Sequence, residues 1–171
     1  MAPCPECGYE FESLDHDQIL RALTSLAREL AKLLGSQDTG LVRAHPVPAS
    51  WSVLEYGCHV RDVLRFQRDR VMLAQVEDRP RFTSMRRDER AIEEGYNHQE
   101  PRAVAGQIAG AAGDLVAALG ALGQAGWLRT GWYPWPTREV RSVAWIGQRT
   151  AHELAHHLFD CRRLLAAGPG G

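Results

Sequence analysis

The chain has 171 residues, a formal net charge of -1, 44% hydrophobic and 24% charged residues. That length suits one domain with a single core, and the near-neutral charge excludes a global field that would draw nucleic acid or an anionic membrane. No apolar run in the sequence approaches the roughly 20 residues of a membrane span. Met1-Ala2-Pro3-Cys4-Pro5 has neither the basic start nor the apolar stretch of a secretory signal. A cytoplasmic location is therefore expected, with the four cysteines as thiols or metal ligands rather than disulfides. Lys32 is the only lysine in an Arg-, Ala- and Gly-rich chain, which reflects codon usage in a GC-rich genome more than mechanism.

Residues 1–12 read as a short Cys-containing leader. Ser13–Leu34 reads as the first long helix: Ile19, Leu20, Leu23, Leu26, Ala27, Leu30, Leu33 and Leu34 recur at helical spacing, and Gly35 is expected to end the run. Residues 36–50, with Pro46 and Pro48, read as a loop. Ser52 and Glu55 form a capping box that opens a second long helix running to about Glu77. Its expected buried face carries Val53, Tyr56, Val60, Val63, Leu64, Val71 and Leu73. Residues 79–99 are charged and irregular, with a short helix around Asp88–Tyr96. Pro101 suits the first position of a third, Ala-rich helix ending near Leu122, because the N–H it lacks is an orphan there anyway. Residues 123–139 hold Trp127, Trp132 and Trp135 with Pro134 and Pro136, a compact loop or short hairpin that seals one end of the fold and suits a substrate wall. The fourth long helix starts near Glu139–Ser142 and runs to about Ala166, leaving Gly168-Pro169-Gly170-Gly171 as a frayed tail. Four long helices and no sustained alternation predict an all-α four-helix bundle of the up-down type with longer loops, spanning 13–166 behind the leader of 1–12.

The chemistry concentrates in His152-Glu153-Leu154-Ala155-His156. Two histidines four apart on a helix share a face and can reach one ion. A third, His59, lies in the second helix, with Glu55 one turn before it and Asp62 almost one turn after. Metal-bound histidines usually donate their second N–H to a carboxylate or carbonyl, so Glu55 and Asp62 are candidates to orient His59. Three imidazoles and an open position make a catalytic type of site. The expectation is that His59, His152 and His156 converge, with His157 turned away and Glu153 off the ligand face. His-Glu-x-x-His is also the zincin signature, in which the glutamate acts as general base. Zincins usually take a further ligand downstream, however, and after His157 this chain offers only Asp160. In the leader, Cys4-Pro-Glu-Cys7-Gly8 is half of a zinc knuckle. Cys58, Cys161, His16 and His45 are the spare candidates for its second half. Free thiols on a mobile leader, a zinc site completed by another protomer in a homodimer, and a redox pair all remain open.

Trp51-Ser-x-x-Glu55-x-x-x-His59-x-x-Asp62, followed late in the chain by His152-x-x-x-His156-His157, resembles the DinB-like, damage-inducible four-helix-bundle superfamily over about residues 13–165. The resemblance implies a divalent metal, zinc first and nickel next, held by one histidine of the second helix and two of the fourth, here His59, His152 and His156. The Cys4-Pro5-Glu6-Cys7-Gly8 leader looks like that of an actinobacterial subgroup whose members act with mycothiol, as the maleylpyruvate isomerase relatives do. The implied function is a metal-dependent thiol S-transferase, with a small-molecule thiol and a small electrophile as partners and neither nucleic acid nor membrane. The alternatives are a non-catalytic metal-binding stress-response module and, more weakly, a metal-dependent hydrolase using the His-Glu-Leu-Ala-His segment. A methyltransferase is set aside, because no glycine-rich strand–turn–helix motif is present.

Overall fold

The computed structural model describes residues 3–10, 14–47, 50–134 and 136–168. Ser13, Pro48, Trp135 and the tail from Pro169 onward, all named in the expectations above, lie outside the described residues. The first helix, α1, spans His16–Ser36. It starts later than the periodicity suggested because Asp15 caps it: the Gln18 N–H donates to the Asp15 carboxylate at 2.7 Å and the Gln18 side chain accepts from the Asp15 N–H at 2.8 Å. Its buried stripe is Ile19, Leu23, Ala27, Leu30 and Leu34, and Gly35 falls inside the last turn rather than ending it. The expected 36–50 loop contains a short helix, α2, Thr39–Arg43, capped by Asp38. Helix α3, Val53–Val76, begins at the expected capping box, the Glu55 N–H donating to Ser52 Oγ at 3.1 Å and the Ser52 N–H to the Glu55 carboxylate at 2.7 Å.

The charged segment after α3 holds α4, Arg87–Glu93, and a 3-10 turn at Tyr96–His98. Helix α5, Pro101–Gly120, has Glu100 as its cap and Pro101 in its first turn. A short α6, Gln124–Leu128, leads into an antiparallel hairpin of β1, Thr130–Tyr133, and β2, Glu139–Ser142. The register pairs Thr130 with Ser142 and Tyr133 with Glu139, so the residues expected to start the last helix are strand. Helix α7, Val143–Ala167, then starts from Ser142, whose hydroxyl accepts from the Trp145 N–H.

Helices α1, α3, α5 and α7 form the bundle. Both α1 and α3 pack against α5 and α7, whereas α1 and α3 touch little. Going round the square the order is α1, α5, α3, α7, so the α1-to-α3 and α5-to-α7 connections join diagonal neighbours. This departs from a simple up-down bundle, in which consecutive helices are adjacent; the long connections between these helices permit the crossing. The core runs from Leu23 and Leu30 through Leu54, Leu64, Ile108 and Leu115 to Ile146 and Leu154, all fully buried. One expectation is corrected here. Helix α5 is long and apolar enough, by length and composition, to cross a membrane, and Ala and Gly hid this in the sequence. In the bundle it is a wall, with Val104, Ile108, Leu115 and Leu119 buried.

The hairpin is tied to α3 by a polar clasp. Tyr133 Oη accepts from Gln67 Nε2 at 2.8 Å and from Arg70 Nη1 at 2.9 Å, and Arg70 Nη2 donates to the Thr83 carbonyl at 2.7 Å. The Phe82 ring packs against Gly131, in the space a side chain would fill. This clasp fixes the wall of the pocket described next.

Candidate metal centre

Where α3 packs on α7, Glu153 meets two imidazoles. Its Oε2 lies 3.7 Å from His59 Nε2 and 3.4 Å from His157 Nε2. One donor atom from each of the three residues falls within 4.8 Å of the others, the spread of ligands around one ion. Glu153 and His157 are four residues apart on α7, and His59 faces them from α3. Arg149, one turn before Glu153, pairs with its second oxygen. His157 Nδ1 donates to Asp160 Oδ2 at 3.1 Å. That bond fixes the tautomer and aims the Nε2 lone pair at the cluster, the usual carboxylate–histidine–metal relay.

The electrostatics suit a cation. Burial alone would raise the Glu153 carboxyl, but His157, His59 and Arg149 hold it well below its ordinary value, so it stays anionic. Burial pushes His59 down despite Glu153 and leaves its imidazole neutral, as a ligand must be. Burial also opposes the charged form of His157, yet Asp160 and Glu153 outweigh it and raise its pKa. A divalent ion would take the place of that proton. Two imidazoles and one carboxylate are a familiar donor set for zinc with one position open, so the residues fit the group.

The three histidines expected to converge are therefore divided. His59 is brought together with Glu153 and His157, and the donor atoms of His59, His152 and His156 form no such cluster among the described residues. The cause is rotational: 152/156 and 153/157 are both i,i+4 pairs, about 100° apart around the helix, and α3 meets the second. The expectations that His157 turns away and that Glu153 lies off the ligand face are corrected with it. Neither Glu55 nor Asp62 orients His59. Glu55 accepts from His45 Nε2 at 2.8 Å and from the Ser52 N–H. Asp62 takes Arg61 Nε at 2.8 Å, Arg90 Nε at 2.6 Å and Tyr96 Oη at 2.8 Å. Among the described residues the buried His59 Nδ1 has no hydrogen-bond partner; the ring is held by packing, 5.1 Å from Trp51 and 5.0 Å from His157, centroid to centroid.

His152 and His156 meet the leader instead. Cys4, Cys7, His152 and His156 each place a donor atom within 4.8 Å of the others, with Cys4 Sγ 3.7 Å from His156 Nδ1. Burial and the charge of Arg149 push His152 down to about 4. The other thiols are elsewhere: Cys58 Sγ lies 3.7 Å from the Tyr96 carbonyl and Cys161 is buried beside Val53. Sequence reasoning missed Glu153 and His157 as donors and Arg149 and Asp160 as their supports; the only signal was the second i,i+4 pair inside the same motif.

A cavity of about 480 Å³ opens above the first cluster, with His59 and Glu153 in its lining. Val63, Phe66 and Pro134 give it an apolar side, and Ser84, Arg86, Arg87 and Arg149 a polar one. Residues 22–159 match the model of the DinB superfamily. The chain belongs to that superfamily. Its fold is that of YfiT from Bacillus subtilis, described as a probable metal-dependent hydrolase with an unusual four-helix bundle topology, with a TM-score of 0.80 over 91% of this chain and 90% of that one. Sequence identity is 17%, so this likeness carries the fold of the DinB-superfamily chain and not its activity. No curated protein matches the sequence.

Proposed function

We propose that this DinB-superfamily chain is a metal-dependent thiol S-transferase, joining the sulfur of a low-molecular-weight thiol such as mycothiol to a small electrophile. The observation that carries the reading is a three-donor cluster, His59, Glu153 and His157, of which His59 and Glu153 line a cavity of about 480 Å³. When bound, a divalent ion (zinc first, nickel next) supplies a Lewis acid able to deprotonate a thiol near neutral pH. The chain supplies the rest. Arg149 holds the Glu153 carboxylate in place, and Asp160 holds the His157 tautomer. Arg86, Arg87 and Ser84 offer charge and hydrogen bonds to the polar parts of a thiol, while Val63 and Phe66 accept apolar carbon of the electrophile.

Thiol is favoured over water by what the cavity does not spare. Glu153 is committed to the donor cluster and to Arg149. The other carboxylates lining the cavity, Asp88 and Glu89, are exposed and lie 3.2 and 3.7 Å from Arg87 and Arg86. Cleaving an amide needs a group to deliver a proton to the departing amine, whereas a thiol acidified by the ion would release its proton to solvent and attack as the thiolate. Hydrolysis is the second reading; the two-imidazole, one-carboxylate set is also that of hydrolytic zinc sites, and YfiT is described as a probable metal-dependent hydrolase.

The test is a turnover screen on metal-loaded protein. Loss of free mycothiol with a panel of electrophiles, dependent on metal and abolished in His157→Ala, is the expected result. Cleavage of esters or amides without any thiol would establish the hydrolase instead. No turnover of either kind at full metal occupancy would leave a non-catalytic metal-binding module.

A further inference from the structure

We propose that Cys4, Cys7, His152 and His156 form a second metal site, a closed structural zinc site that pins the N-terminal leader to α7. This goes beyond the catalytic reading above and shares none of its ligands. The donor set is complete within one chain, so no partner protomer is needed to close it. With zinc–sulfur and zinc–nitrogen bonds of about 2.3 and 2.05 Å, a tetrahedral edge from sulfur to nitrogen is about 3.6 Å. Cys4 Sγ and His156 Nδ1 stand 3.7 Å apart. Cys4 and Cys7 are free thiols, not a disulfide.

The leader is built as a knuckle. The Gly8 N–H donates to the Cys4 carbonyl and the Cys4 N–H to the Tyr9 carbonyl, both at 2.9 Å. Gly8 takes a left-handed φ of +72°, which a glycine adopts without strain. The far side of His156 is also prepared: its Nε2 lies 3.4 Å from Glu6 and 3.7 Å from Asp160, carboxylates of the kind that orient a ligating ring through its second nitrogen. The Tyr9 ring lies tilted against His152, centroids 5.3 Å apart, so the chain leaving the knuckle stays on α7. Two thiolates and two imidazoles leave zinc neutral and fully coordinated, which marks a structural site and not a catalytic one. Asp160 joins the two clusters, 3.1 Å from His157 and 3.7 Å from His156. The knuckle therefore braces the residue that orients a donor of the other site.

Metal counting and cobalt substitution under reducing conditions test the assignment. Wild type should hold two ions per chain, and Cys4→Ser/Cys7→Ser and His157→Ala one each. Cobalt-loaded wild type and His157→Ala should show thiolate-to-cobalt charge-transfer absorption, and the double cysteine variant none. No such band in reduced, cobalt-loaded wild type, or a band surviving in the double variant, would overturn the site. If that variant does not fold, alkylation of wild type decides. Zinc should protect Cys4 and Cys7 and chelation should expose them, with buried Cys58 and Cys161 silent in both states. Equal labelling with and without zinc would refute the proposal. Loss of turnover in His157→Ala with the charge-transfer band intact separates failure at the catalytic cluster from failure here.

Discussion

Glu153 touches both imidazoles of its cluster and a guanidinium, which makes it the most informative single position. Glu153→Gln keeps the shape and removes the anion, leaving two imidazoles and a weak amide oxygen. Metal affinity should fall at least about tenfold, the low end of what even an orienting residue costs, with the helical spectrum unchanged; affinity by isothermal titration checks it. Glu153→His offers a third imidazole on the same face and should retain the ion. Asp62 is the buried acid of α3, with its side chain 1% exposed. Burial alone would raise its pKa, but hydrogen bonds from Arg61, Arg90 and Tyr96 hold it below the ordinary carboxylate value. A lowered folded pKa stabilises the protein above the unfolded value, about 3.9, and that contribution is lost as pH falls through the folded pKa. Asp62→Asn should therefore cost about 3 kcal/mol at neutral pH, because it strands Arg61, and should flatten the acid limb of the stability curve. Urea denaturation across pH measures both.

At the scale of elements, α7 carries two donor pairs, 152/156 and 153/157, and delivers one to the leader and the other to α3. The Trp51–Asp62 segment was legible because a capping box and the spacing to His59 are local signals. Removing its cap by Ser52→Ala should cost about 1 kcal/mol, read as a lower melting temperature; the Ser52 hydroxyl also donates to Asn97 at 2.7 Å, so the loss should not be smaller. The register of α7 was not legible. Both pairs fit inside six residues, and only the packing of α3 chooses between them. A histidine pair also draws the eye where a Glu–His pair does not. The knuckle's other half was hidden for a different reason: its histidines lie 145 or more residues away, and no spacing rule connects them.

The whole molecule explains why one helix can serve two sites. Because α7 packs on both α1 and α3, one of its sides is held at the α3 seam while the leader, which precedes α1, folds back over its neighbouring side. The four long helices and their order could be read from periodicity and caps; the diagonal connections could not, since helix-face patterns do not say which neighbour a face meets. On this assignment the 153/157 pair of α7, and not 152/156, holds the ion at the α3 seam. Metal content in a Cys4→Ser/Cys7→Ser background isolates that ion. One equivalent should remain there, should persist when His156→Ala is added, and should vanish when His157→Ala is added instead. An ion that survives His157→Ala, or that leaves with His156→Ala, would contradict it.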